Sequence, residues 1–303
     1  MYLHNDDKEL LHDIIITVSE QSGIEESIVE KDYYVTLILK ELATRNPNVV
    51  FKGGTSLSKA YQIIDRFSED IDITFSEHIG ESRRKKLKYN LLKPISDTIG
   101  LPIENWNRIE SDKDYNHYDF YYNAVTSVGS EILRPYIKLE TALMSYSYPT
   151  EQKEIKSIIY EFLKDTDPEI IDEYDLHPFL MQTQSLSRTF IDKLFAVCDY
   201  FINDKATRNS RHLYDIFKLS PYIKIDAEFI DLVENVRKHR ETMDITITPS
   251  ARKNVNIIQT AKELISSSFY QCDYEDSTMK LINDNVTYKE CIDNYIDIVR
   301  KIF

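Results

Sequence analysis

The stretch that most restricts the fold runs from Phe51 to Phe75, FKGGTSLSKAYQIIDRFSEDIDITF. It opens on the end of an apolar run, Val49-Val50-Phe51, that reads as a short strand. Gly53-Gly54 breaks the run, and Thr55-Ser56 supplies hydroxyl residues suited to a helix start. Leu57, Ala60, Tyr61 and Ile64 recur at helical spacing, which predicts a helix ended by Asp65-Arg66-Phe67-Ser68. Asp70-Ile71-Asp72-Ile73-Thr74-Phe75 then predicts a second strand, with Asp70 and Asp72 on one face and Ile71 and Ile73 on the other.

Strand, glycine turn, helix and strand together make a phosphate-handling arrangement, because glycine lets backbone N–H groups approach an anion and a helix start favours negative charge. Two adjacent carboxylates repel each other unless a cation lies between them. Mg²⁺ suits that position, since it takes hard oxygen ligands and shares them with substrate phosphates. Two ions held in this way can clamp an in-line phosphoryl or nucleotidyl displacement. The order of the parts carries the signal. Asp112-Lys113-Asp114 and Asp165-Thr166-Asp167 repeat the spacing without the glycine turn or the apolar strand, and read as solvated loops.

The wording of the stretch resembles the DNA polymerase β-like nucleotidyltransferase superfamily. More narrowly, Lys52-Gly53-Gly54-Thr55-Ser56-Leu57-Ser58-Lys59 and Arg66-Phe67-Ser68-Glu69-Asp70-Ile71-Asp72 are similar to the AbiEii-type nucleotidyltransferase toxins, the MenT group included, of type IV toxin–antitoxin systems. The turn is Gly-Gly-Thr where the broad superfamily more commonly has Gly-Ser; Thr55 or Ser56 is expected to supply the hydroxyl.

The rest of the chain is consistent with a globular protein of 303 residues. No apolar run approaches the length of a membrane span, and the N-terminus MYLHNDDKEL lacks a basic-then-apolar leader pattern. Cys198, Cys272 and Cys291 are scattered, as expected of a reducing cytoplasm, and neither they nor the histidines show zinc spacing. A net charge of −14 argues against a broad nucleic-acid surface but leaves room for a local basic patch, or for a basic partner.

Two helices are predicted over about 5–21 and 25–45, separated by Gly23. Glu30-Lys31-Asp32 reads as a solvated charged face; the family often carries a similar Glu-Lys-Asp, which would instead make Lys31 and Asp32 walls of a site. Glu81 to Ile99 predicts a helix with the densest basic run, Arg83, Arg84, Lys85, Lys86 and Lys88, either a solvated face or a contact for an RNA backbone. Residues 101 to 146 look β-rich, their tyrosines suited to packing. In Tyr136-Ile137-Lys138-Leu139-Glu140-Thr141, Lys138 and Glu140 share a face. The superfamily commonly sets a third carboxylate on a strand beside its Asp-x-Asp, so Glu140 is either that group or a cross-strand ion-pair partner. Glu151 to Lys164 predicts a helix, and His177 to Gln184 an extended return to the sheet.

From Ser185 onward the chain reads as helical, with Arg237-Lys238-His239-Arg240 and Arg252-Lys253 as solvated basic spots. Lys193 and Asp215 stand out as charges among apolar neighbours, where an unpaired charge is costly. A structural pair between two helices is one account. The resemblance gives another, since the family's essential lysine falls on Lys193 and its essential aspartate on Asp215, within Arg211-His212-Leu213-Tyr214-Asp215 and ahead of Lys218. The lysine would meet nucleotide phosphates; the aspartate would position the acceptor hydroxyl, act as base, or fix Lys193.

Carried over the chain, the resemblance implies an α+β fold: a polymerase β-like core with a mixed sheet and flanking helices over residues 1–184, then a helical bundle over 185–303 contributing Lys193 and Asp215. It implies an Mg²⁺-dependent nucleotidyltransferase toxin, with Asp70, Asp72 and Glu140 on the metal, and Lys52, Gly53, Gly54, Thr55, Ser56, Lys59, Arg66 and Lys193 on the nucleotide. The acceptor would be RNA, the tRNA 3′ end, and the partner a cognate antitoxin in a phage-defence setting. Nucleotidylation of a protein or small molecule, and a nucleotide-binding regulator without turnover, are the rival readings.

Overall fold

The computed structural model describes residues 1–66, 68, 70–110, 113–126, 136–143 and 147–303; Phe67 and Glu69 of the signature stretch, and Asp112, lie outside them. The chain forms two compact units, Met1–Ala60 with Ser68–Thr183, and Tyr61–Phe67 with Gln184–Phe303.

The first unit is built on a mixed six-stranded sheet: β1 (Val49–Lys52), β2 (Ile71–Phe75), β3 (Tyr115–Tyr121), β4 (Tyr136–Ala142), β5 (Thr150–Ile155) and β6 (Phe179–Gln184), in the order β3-β4-β2-β1-β6-β5. β1 runs antiparallel to β2 and parallel to β6; β4 runs parallel to β2 and antiparallel to β3. This is the mixed sheet with flanking helices expected of the fold class. The helix Lys8–Ser22 starts where Asp7 accepts a bond from the Leu10 N–H and stops at Gly23, whose φ of 74° a side chain disfavours. Its Leu11, Ile14, Ile15 and Val18 join Val29, Ile38 and Leu42 of the helix Glu26–Arg45 in one core with Phe51, Ile71, Ile73, Ile137 and Leu139 of the sheet. The opposite parity of β2 and β4, Asp72 together with Lys138 and Glu140, is only partly covered.

Two predicted boundaries move. The helix after the glycine turn is short, Gly53–Lys59, and ends before the apolar positions Tyr61 and Ile64. The Tyr61 hydroxyl donates to the Gln184 carbonyl (2.8 Å), Ile64 is buried, and Gln62 between them takes a left-handed φ of 55° that helix cannot accommodate. Tertiary packing thus overrides a helical spacing. The predicted helix Glu151–Lys164 is a strand followed by a helix: Thr150–Ile155 is β5 at the sheet edge, and the helix Ile158–Thr166 begins where Ser157 accepts from the Tyr160 N–H. The charged pattern Glu151-Gln152-Lys153-Glu154 suits an edge strand, which charge protects from further pairing. The basic helix forms as expected, in three continuous pieces, Glu81–Lys86, a π-turn segment Leu87–Leu92 and Lys93–Ile99.

The second unit is helical. Leu186–Ile202, capped by Ser185, packs with Arg211–Leu219, Ala227–Glu241 and Ile257–Ser266; Gln271–Asp276 follows, and Tyr288–Ile302 opens on a Thr287/Glu290 capping box. The arginines of the basic spots are structural clamps, which corrects the solvated reading for them, while Lys238 and Lys253 are exposed as expected. Arg237 donates to the Ala251, Arg252 and Val255 carbonyls (each 3.1 Å), Arg240 pairs with Asp199 (2.5 Å), and Arg252 donates to the Glu241 and Met243 carbonyls. Among the described residues no helix is long and apolar enough to cross a membrane.

Candidate functional site

The glycine turn and the Asp-x-Asp strand meet in the first unit. β1 and β2 pair so that Lys52 stands opposite Asp72, which carries the Asp72 carboxylate onto the turn. Gly53 has φ +78°, and a Cβ there would lie 2.0 Å from Asp72 Oδ2 and 2.8 Å from Cγ. Glycine is therefore required twice at this position, for its backbone angle and for the carboxylate lying on its Cα.

The hydroxyls beside it hold the turn. Thr55 Oγ1 donates to the Asp70 carbonyl (2.5 Å) and lies 2.9 Å from Ser68 Oγ, while Ser56 Oγ donates to the Gly53 carbonyl (2.8 Å). Both side chains are buried. The expected supply of a hydroxyl to the ligand is thus spent here on fixing the backbone around Gly53 and Asp70.

Lys59, at the end of the short helix, pairs with Asp32 (2.5 Å), whose other oxygen accepts from the Ile158 N–H (2.8 Å). The Glu-Lys-Asp segment is consequently no solvated face: Glu30 and Lys31 are both 1% exposed. Glu30 accepts from the Val125 N–H (2.7 Å) and the Thr126 hydroxyl (2.6 Å), so its carboxylate anchors a loop. Asp32 fixes Lys59 and thereby reaches the site region indirectly.

On the partly covered face, Glu140 of β4 stands directly beside Asp72 of β2, with Leu139 beside Ile71. Lys138 pairs with Glu140 along the same strand, so the ion pair expected across strands is made within one. Burial alone would pull the Lys138 ammonium down in pKa, but its bond to Glu140 and the fields of Asp70 and Asp72 raise it. Tyr115 at the start of β3 is a neighbour that sequence reasoning assigned to packing. It is 43% exposed, and desolvation, then Glu140 to which it donates, then Asp72 and Asp70, push its hydroxyl above the ordinary range and keep it protonated. Asp70, Asp72, Glu140, Lys138 and Tyr115 thus meet here, and the register adds Lys52 opposite Asp72 and, on β3, His117 opposite Glu140 and Asp119 opposite Lys138.

Among the described residues no three acidic, histidine or cysteine side chains close into a metal cage. The donors nevertheless suit a hard cation that completes its shell with phosphate oxygens, because all three are carboxylates and two occupy adjacent positions on neighbouring strands.

The second unit holds a different constellation. Asp215, fully buried, accepts from Arg66 Nε (2.7 Å) and Nη2 (2.8 Å) and from Lys193 Nζ (2.6 Å). Burial alone would raise Asp215, but the two cations outweigh it and hold the carboxyl well below the usual range. Lys193 is lowered by burial, and by Arg66 sharing the same carboxylate. The pairing of Lys193 with Asp215 was legible as a structural alternative; the part of Arg66, 149 positions away from Asp215, had no signal in the sequence. Lys218 pairs with Asp284 (2.8 Å), and His212 stacks on Tyr200 with ring centroids 5.6 Å apart.

Four of the five basic residues singled out on the basic helix have polar partners. Arg83 pairs with Glu77, Arg84 with Asp114, Lys85 with Glu81, and Lys88 donates to the Trp106 and Ile109 carbonyls.

Comparison with known proteins places the chain. The nucleotidyl transferase AbiEii toxin family of type IV toxin–antitoxin systems matches residues 37–287, which takes in the signature stretch, Lys193 and Asp215 but not Glu30-Lys31-Asp32. A solved structure of MenT4, a nucleotidyltransferase toxin from Mycobacterium tuberculosis H37Rv, is similar at a TM-score of 0.63 and 15% identity, over 95% of this chain and 89% of that one, a likeness of fold. No curated protein sequence gives a match. With four-fifths of its length matched, on a mixed sheet that sets an Asp-x-Asp strand against a glycine turn, the chain belongs to the AbiEii family of nucleotidyltransferase toxins.

Proposed function

We propose that this nucleotidyltransferase moves an NMP group from an NTP to the 3′ end of tRNA in an Mg²⁺-dependent reaction in the cytoplasm, and so blocks aminoacylation. The observation that carries the reading is the Asp72 carboxylate lying on Gly53, with Glu140 in register beside it. Asp70 and Asp72 hold the ion, with Glu140 as the third carboxylate of the face; when bound, the ion supplies positive charge to the phosphate oxygens. Backbone amides of Gly53, Gly54, Thr55 and Ser56, together with Lys52 and Lys59, receive the triphosphate. The acceptor hydroxyl attacks the α-phosphate and pyrophosphate leaves, with most of the acceleration coming from charge placed in advance.

Lys193 is assigned to the nucleotide phosphates as a point charge. Of the three roles open to Asp215, fixing Lys193 is the one its geometry supports, since a carboxylate already bonded to an ammonium and a guanidinium makes a poor base. Arg66, expected on the triphosphate, is read as a second cation anchored by Asp215.

A type IV toxin has a cognate antitoxin, and a net charge of −14 suits a basic one. A role in phage defence follows from the resemblance alone.

The test incubates purified protein with Mg²⁺, each labelled NTP in turn and total tRNA, beside Asp70→Ala and Lys193→Ala. Label on tRNA with the wild type only is the expected result. Label on protein or on a small molecule replaces the acceptor; nucleotide binding without transfer favours the regulator.

A further inference from the structure

The carboxylate face has a fourth corner. β2 and β4 run parallel with Asp72 beside Glu140 and Ile71 beside Leu139. Asp70, the residue before β2 begins, also acts electrostatically on the Lys138 ammonium. Alternation along β4 puts Lys138 on the face of Glu140, where its ammonium bonds that carboxylate. Two aspartates at the start of one strand thus lie near a lysine and a glutamate on the next. Tyr115 donates to Glu140 as well, so two hydrogen-bond donors already occupy the carboxylate that a second metal ion needs.

We infer that Lys138 is a resident cation of this face, bound to Glu140, and that the site takes one divalent ion on Asp70 and Asp72 rather than two. A second ion on Glu140 has to displace an ammonium tethered two residues away on the same strand, at high local concentration. Lys138 then supplies as a side chain the charge that a second ion supplies elsewhere, and Glu140 serves as its holder. The inference rests on the metal reading of Asp70 and Asp72.

The experiment counts bound Mn²⁺ by electron paramagnetic resonance, with a non-hydrolysable NTP analogue, in the full-length wild type, Lys138→Met and Lys138→Arg. Circular dichroism melts establish that each variant is folded. The wild type binds one Mn²⁺ per chain. Lys138→Met binds a second ion, or tightens the first by about tenfold, through loss of a neighbouring positive charge; Lys138→Arg stays at one. Two ions on the wild type overturn the inference whatever the variants do, as does a Lys138→Met protein with unchanged count and affinity. A wild type that binds no Mn²⁺, while Asp70→Ala behaves identically, overturns the metal reading itself and this inference with it.

Discussion

Substituting Gly53 by alanine loads the strain of one backbone position onto the Asp72 carboxylate. At φ +78° an L-residue costs about 1–2 kcal/mol. The new methyl group would sit 2.0 Å from Asp72 Oδ2, against a floor of 3.0 Å for real contacts, so the carboxylate has to move by about 1 Å. Asp72 is a side chain and can rotate away, which keeps the loss of stability near the backbone term. The movement takes the oxygen off the position the proposed mechanism requires, and a misplacement of about 1 Å costs on the order of 10²-fold in rate. The expected result is a protein that loses about 1–2 kcal/mol in urea unfolding and about a hundredfold in single-turnover nucleotidyl transfer. Gly80→Ala is the control, because that residue has φ −68° and open space around its missing Cβ, and both readouts should stay near wild type. A Gly53→Ala protein within about threefold of wild-type rate would refute the coupling of the turn to Asp72.

Asp215→Asn removes the shared charge from two buried cations and should destabilise by about 3–5 kcal/mol in equilibrium unfolding; a loss under about 1 kcal/mol contradicts the triad as drawn. Lys59→Met should raise KM for the NTP by about tenfold with a smaller change in kcat, while Asp32 keeps its bond to the Ile158 N–H; an unaltered KM removes Lys59 from the nucleotide. His212 and His4 are both lowered from the ordinary 6.5, His212 by burial and then by Lys193, His4 by burial. The unfolded chain therefore takes up protons that the folded one refuses: stability is complete above about pH 6.5 and falls below it, by at most roughly 1.4 kcal/mol per pH unit for each histidine until its folded pKa is reached. Melting between pH 7 and 5 should follow that decline, and His212→Phe, which keeps the stack on Tyr200 and removes an Nδ1 atom with no hydrogen-bond partner, should flatten it. An unchanged slope contradicts the assignment.

The Asp-x-Asp strand, the glycine turn and the β4 alternation were legible because each is local: period-2 burial and a glycine break need only a few neighbouring residues. The helix predicted through Ile64 fails for the opposite reason. Tyr61 and Ile64 keep helical spacing but spend their apolar surface in the second unit, through a contact 123 positions away for Tyr61. β5 was hidden because an edge strand of alternating charge looks like a solvated helix until the Ser157 cap marks the true start. The Glu-Lys-Asp segment looked like surface because Glu30 finds its donors at Val125 and Thr126, far along the chain. The arginines at 237, 240 and 252 were misread alike, since guanidinium groups that clamp loop carbonyls leave no periodic trace.

The most direct test of the central claim is the intact mass of tRNA after incubation with the protein, Mg²⁺ and a single NTP, followed by mass mapping of the 3′-terminal fragment, beside Asp72→Asn. The account requires a gain equal to a whole number of NMP units on the 3′ fragment with the wild type, and no gain with Asp72→Asn. Equal gains from both proteins, or a wild type that leaves the 3′ fragment unchanged with all four NTPs, would contradict it.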